Sequence, residues 1–269
     1  MVVAAQLRDW TARRVSVDRS SEQAFLAVCV LLFAVSTAVT IVWCAPMSAM
    51  GMPMPGGWTM SMVWMSMPGQ SWIGAAASFL GMWIVMMVAM MLPSLVPMLR
   101  RYRKAIDRAE ASPSGRLTAR VCAGYFFVWT AIGMLVFPLG LGLADVEMRQ
   151  PALARAIPLA SGLIVLIAGT IQFTEWKTRL LARCTRRTHE GTAWQHGVRL
   201  GVDCARSCGN VMVILLVMGV MDLRVMALVA AAITIERVVP ASHRVVRLIG
   251  VAIAAAGLIL MAQAAALEL

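Results

Sequence analysis

The 269-residue chain has little charge: Asp, Glu, Lys and Arg make up 14% of it, and only 13 residues are acidic. Soluble domains ordinarily carry about 25%. Histidine occurs three times, as His189, His196 and His243, which argues against a histidine-braced copper oxygenase centre. Alternating segments of about ten residues, the mark of a membrane β-barrel, are missing. So are a nucleophile–base pair, a phosphate-binding loop and any internal repeat of the inverted-repeat transporter kind. No catalytic residue is assigned. The longest loop, 45–71, is too short to form a core of its own.

What is present is apolar. Sixty per cent of the residues are hydrophobic and the mean hydropathy is +0.78. Long apolar runs recur, each near the ~20 residues that cross ~30 Å of hydrocarbon. The fold class is all-α, a polytopic transmembrane helical bundle in the lipid bilayer. The runs predict seven helices, at about 24–44, 72–99, 121–143, 153–175, 198–220, 223–240 and 246–266. The fifth contains Asp203 and Arg206 and the sixth is barely long enough, so six helices with 198–240 partly re-entrant is the alternative. The expected organisation is a basic cytoplasmic leader, 1–23, and one transmembrane domain, 24–269. A cleaved signal peptide fits the N-terminus less well, because the stretch 24–43 exceeds the usual ~7–15-residue apolar region.

Basic residues set the expected topology. Four lie in the leader and seven between Arg100 and Arg120. Six more run from Lys177 to Arg199, and Arg237, Arg244 and Arg247 follow. The opposite loops hold only Arg149, Arg155 and Arg224. This distribution predicts a cytoplasmic N-terminus and an external C-terminus. It also accounts for the net charge of +11 without nucleic acid. The expected location is a bacterial inner membrane, with the uncharged loop 45–71 outside.

That loop contains "MSAMGMPMPGGWTMSMVWMSM", with Met47, Met50, Met52, Met54, Met60, Met62, Met65 and Met67 among 21 residues and no Leu or Ile. Thioether sulfur is a soft, neutral ligand suited to Cu(I), and it needs no deprotonation. The plainer reading is an apolar interfacial filler. In the second helix Met82, Met86 and Met90 recur at i, i+4, i+8 on one face. They offer either packing or a metal path.

"GVRLGVDCARSCGNVMVILLVMGVMDL" places Cys204 and Cys208 one turn apart on the fifth helix, with Met212 next and Met218 on the same broad side. A bis-thiolate suits Cu(I), and Arg206 nearby would favour ionised thiols. Structural thiols and a reversible disulfide are the other readings. Asp203, Arg206, Ser207 and Asn210 share these turns, and intramembrane polar residues are functional candidates. Gln172, Glu175 and Lys177 end the fourth helix and Glu236 and Arg237 the sixth. They either wall a polar site with the fifth helix or mark the membrane boundary.

Five segments, "AMMLPSLVPML" (89–99), "AGYFFVWTAIG" (123–133), "GTIQFTEWKTRLLARC" (169–184), the Cys-bearing 197–223 and "ERVVP" (236–240), carry a resemblance. Over roughly residues 72–269 the chain resembles a bacterial family of uncharacterised integral membrane proteins described as predicted metal-binding. The resemblance implies a soft-metal role in which Cys184, Cys204 and Cys208 match cysteine positions of the family. This chain has Ser207 and Gly209 where many members have a further cysteine and an aromatic, which argues against a three-thiolate site.

The combined expectation is a copper-handling membrane protein that binds Cu(I) through Met and Cys for transport, relay or delivery to a periplasmic or membrane cuproprotein partner. Two other classes remain open. One is a membrane redox or copper enzyme using Cys204 and Cys208. The other is a structural subunit with the Met loop as its docking surface.

Overall fold

In lipid, apolar runs of this length must satisfy their own backbone hydrogen bonds, so they become helices. The computed structural model describes residues 2–49, 51–55, 57–61, 64, 71–108, 114–186, 191–239 and 243–267. Within its helices, the side chains of 2–19, 48–49, 107–108, 114, 183–186, 243 and 267 are not described. The helices are α1 (Val2–Ala49), α2 (Trp72–Arg108), α3 (Ser114–Arg149), α4 (Pro151–Ile171), α5 (Glu175–Arg186), α6 (Ala193–Met218), α7 (Leu223–Val238) and α8 (His243–Leu267). Among the described residues, all helices but α5 and α7 are long and apolar enough to cross a membrane, which makes six. The all-α bundle expected from composition is what forms.

The differences from expectation have local causes. Residues 2–23 are helical and continuous with the first apolar helix. The fourth helix stops at Ile171, where a turn through Gln172–Thr174 interrupts it, and Glu175 starts the separate helix α5. The predicted loop after 175 is therefore partly helical. Its apolar residues Leu180 and Leu181 are buried while Trp176 and Arg179 are exposed, the pattern of a helix lying on the bundle. The Met-rich loop contains a short antiparallel hairpin, β1 (Met52–Met54) and β2 (Trp58–Met60). Its turn includes Gly57 at φ 75°, a backbone that glycine adopts without strain.

Capping sets the later helices. Thr192 and Gln195 form a reciprocal capping box at the start of α6. Asp222 accepts from the backbone of Arg224 and Val225 to start α7. At about 1.5 Å per residue, the 16 residues of α7 span roughly 24 Å, short of a full hydrocarbon core. Arg237 and Glu236 at its end reach Ser207, in the middle of α6, and Gln172, at the end of α4. It brings the chain back to where α8 begins.

Small residues set the tightest contacts, as expected where van der Waals packing drives helix association in lipid. α4 and α8 run antiparallel, with Gly162 against Gly257 and Met261 and Gly169 against Ala254. A Cβ at Gly169 would fall 2.6 Å from Ala254 N, and one at Gly257 2.5 Å from Leu166 N, so neither admits a side chain. α3 and α6 run parallel, with Gly197 on Val121 and Gly201 on Tyr125 and Val128. α2 runs antiparallel to α3. Its Trp83 donates to Trp129 O at 2.8 Å, and Phe79 lies 5.1 Å from Phe137.

Candidate metal centre

Cys204 and Cys208 lie near the midpoint of the 26-residue α6. Their sulfurs are 3.8 Å apart, and the residues are 0% and 2% exposed. Two sulfurs sharing one ion at about 2.3 Å each can be no more than about 4.6 Å apart, so one soft ion can bridge this pair. Cys208 Sγ lies 3.0 Å from Cys204 O and donates to it, as thiols in helices do one turn back. The Tyr125 hydroxyl sits 2.9 Å from Cys204 Sγ, brought there by the close α3–α6 packing. Met212 continues the row and is 5% exposed.

A buried polar cluster adjoins the thiols. Arg237 donates to Ser207 Oγ at 3.0 Å and also lies against the Cys204 thiol. Lys177, fully buried, pairs with Glu236 at 2.9 Å and donates to Asn210 Oδ1 at 3.2 Å and to the Ser207 carbonyl. Gln172 Nε2 donates to Glu236 Oε1 at 2.8 Å, and Asn210 Nδ2 to Ala168 O at 3.1 Å. Thus α4, α5, α6 and α7 all contribute to one site. Ser207 sits between the ionic network and the thiols, because its carbonyl takes Lys177 and its hydroxyl Arg237.

Other candidates fall elsewhere. Glu175 is exposed and pairs along its own helix with Arg179 at 2.6 Å. Arg206 is also exposed, on the outer side of α6. The cation beside the thiols is Arg237, which reaches them from α7. Met218 is 37% exposed and leaves the row, because six residues beyond Met212 is most of two turns and not a whole number of them. Asp203 is buried on the N-terminal side of the pair along α6, with His196 on the same helix stacked 5.2 Å from Tyr102.

Met82, Met86 and Met90 are 4%, 0% and 3% exposed. Measured along α3, which touches both α2 and α6, they lie at the depth of the α6 segment from Gly197 to Cys208. They belong to the same continuous core as Cys204, Cys208 and Met212. Met87, Met91, Met221 and Met226 are buried in that core too. In the hairpin, Met52 and Met60 are directly paired across the strands, which sets their Cβ atoms about 5 Å apart. Met60 is 2% exposed, Met52 exposed, and Met54 and Met47 half-buried. Trp58 Nε1 anchors the hairpin to Ala154 O at 2.9 Å. Met50, Met62, Met65 and Met67 lie outside the described residues, as does the side chain of Cys184.

Among the described residues no three His, Cys, Asp or Glu side chains converge as a metal-binding group. A tetrahedral zinc site needs four such ligands. The donors present are a thiol pair with thioethers in the same core, soft sulfur ligands of the kind that suit soft metal ions. Tyr125 is the neighbour that motif reading did not assign to the site. Arg237 was legible as a charge at a helix end that either walls a polar site or marks the boundary, and Tyr125 only as one of two tyrosines.

No curated protein and no solved structure matches the chain. A protein-family model described as a copper chaperone, PpoB2, matches residues 80–260. The match spans α2 to most of α8 and contains the thiol pair, Tyr125 and the whole Lys177–Glu236–Arg237 cluster. With two thirds of its length so matched, a helical membrane protein with a buried thiol pair, this chain belongs to the PpoB2 copper chaperone family.

Proposed function

We propose that the protein holds Cu(I) at Cys204 and Cys208 and passes it between this site, the buried methionines and a protein partner. The observation that carries this reading is the thiol pair itself: 3.8 Å between sulfurs, buried, with Tyr125 and Arg237 against it. Cu(I) bound to two thiolates carries one negative charge. Burying that charge is costly without a counter-ion, and the Arg237 guanidinium is the one placed to balance it. The Lys177–Glu236 pair is already self-neutralising.

The methionine hairpin is the first collecting point in this reading. Met52 and Met60 offer two thioethers side by side, and the buried α2 methionines offer neutral sulfurs at the level of the thiols. Exchange between weak, similar soft sites lets the ion move without a deep trap. The charge distribution supports an external hairpin and a cytoplasmic N-terminus in a bacterial inner membrane.

The test is a Cu(I) titration of the purified protein against a chromophoric chelator under reducing conditions. The intact chain is expected to hold at least one Cu(I) that Cys204→Ser/Cys208→Ser loses. Unchanged stoichiometry and affinity in the double variant would move the site to the methionines and sink the thiol-pair reading. Transfer of the bound copper to an apo-acceptor, with no oxidised product, separates a chaperone from an enzyme.

A further inference from the structure

Trp129 is 3% exposed, and its indole Nε1–H has no hydrogen-bond acceptor among the described residues. Buried tryptophan N–H groups nearly always have one, so an unpaired donor in a packed core calls for an explanation. The rest of the residue is firmly placed: its backbone carbonyl takes the Trp83 indole at 2.8 Å, and its ring packs in the core that contains the thiols and the α2 methionines.

Its position along α3 supplies the explanation. α3 and α6 are parallel and in close contact. Tyr125 on α3 reaches Cys204 on α6, with its hydroxyl 2.9 Å from the sulfur. Trp129 is one turn beyond Tyr125, as Cys208 is one turn beyond Cys204. The same helical step that gives Cys204 a phenolic O–H brings an indole N–H to the level of Cys208.

Loading changes what the sulfurs require. As two Cu–S bonds form, the two thiol protons leave to solvent, and both sulfurs become acceptors. Cys204 then accepts from Tyr125. Cys208 can no longer donate to Cys204 O, the bond it makes when protonated. We infer that Trp129 is a positioning residue of the copper site, whose Nε1–H donates to the Cys208 thiolate in the loaded protein. The empty protein keeps this donor unpaired in advance, so that loading needs no rearrangement of the core. The inference rests on the thiol-pair reading above.

The experiment follows the indole N–H itself. In detergent-solubilised protein labelled with 15N-tryptophan, nine indole resonances are expected, and the one absent in Trp129→Phe identifies Trp129. Trp129→Tyr serves the same purpose if the Phe variant does not fold. Ag(I), a diamagnetic stand-in for Cu(I), is added to one equivalent. The expected result is a downfield shift of the Trp129 proton that does not occur in Cys208→Ser. Cu(I) affinity should fall about tenfold in Trp129→Phe with stoichiometry unchanged, the size of one lost hydrogen bond to a charged acceptor. An unmoved resonance overturns the inference, even if the Phe variant binds more weakly, since that weakening would then be structural. If Cys204→Ser/Cys208→Ser still binds metal like the parent, the thiol-pair reading fails with it. If the double Cys variant loses metal while the Trp129 resonance stays unmoved in the parent, the pair stands and Trp129 falls alone.

Discussion

Lys177 on α5 and Glu236 on α7 form an ion pair of 2.9 Å from which solvent is excluded, with side-chain exposures of 0% and 2%. The pair joins a surface-lying helix to the core helix that ends beside the thiols. It fixes Ser207 at the same time, because Lys177 also donates to that carbonyl. The turn carrying Cys204 and Cys208 is therefore held from a helix that lies outside the crossing segments.

Breaking this pair from one side leaves a buried charge uncompensated, which typically costs about 3–5 kcal/mol. Lys177→Met should lower stability by that order in an SDS unfolding titration of the detergent-solubilised protein. Replacing both partners by apolar residues of similar size, Lys177→Met with Glu236→Leu, should recover most of the loss. A single variant as stable as the parent would mean the pair is not formed in the membrane.

The α4–α8 seam gives a second stability test. Gly257→Leu must push α8 away from the Leu166 backbone, and overpacking of this kind costs about 1–3 kcal/mol or more. Gly142, on the exposed side of α3, meets nothing within 4 Å of an added Cβ. Gly142→Ala should be neutral or gain about 0.5–1 kcal/mol from helix propensity. Thermal denaturation of both in one detergent checks the contrast. Equal effects would contradict the close packing of α4 on α8.

Much of this architecture was legible from one dimension. Apolar run length gave the helical class, and the i, i+4 spacing of Cys204 and Cys208 gave a shared face, because both depend only on local geometry. The Lys177–Glu236 pair was not legible, since a charge at a helix end looks the same whether it snorkels to water or turns inward. What turned Lys177 inward was the break after Ile171, which a continuous apolar reading carries straight through. Arg237 displaced Arg206 as the cation of the site for a similar reason. Proximity along α6 suggested Arg206, but helical phase turned it outward and α7 brought Arg237 in. The Pro55-Gly56-Gly57 stretch was a usable turn signal, yet methionine composition alone does not say that Met52 will face Met60.

Sidedness is open to direct labelling. Thr59 is exposed in the hairpin and Arg179 on α5. In a Cys184→Ser background, where the described native thiols are buried or half-buried, Thr59→Cys should react with a membrane-impermeant maleimide on intact cells. Arg179→Cys should react only after permeabilisation. Reversed labelling would place the methionine hairpin inside and overturn the proposed direction of collection.

The last prediction separates sulfur chemistry from packing on α2. Met86 is fully buried at the depth of the thiols, while Met218 is partly exposed and off the row. Leucine has nearly the volume of methionine, and such exchanges usually cost less than about 1.5 kcal/mol, so Met86→Leu should fold. If the α2 thioethers pass copper to Cys204 and Cys208, this variant should load severalfold more slowly in stopped-flow Cu(I) transfer from a chelator. Its final stoichiometry should equal the parent's, because the thiol pair is untouched. Met218→Leu should load at the parent rate. Parent-like loading by Met86→Leu would assign that methionine to packing alone, since the substitution removes the ligand atom and leaves the filled volume behind.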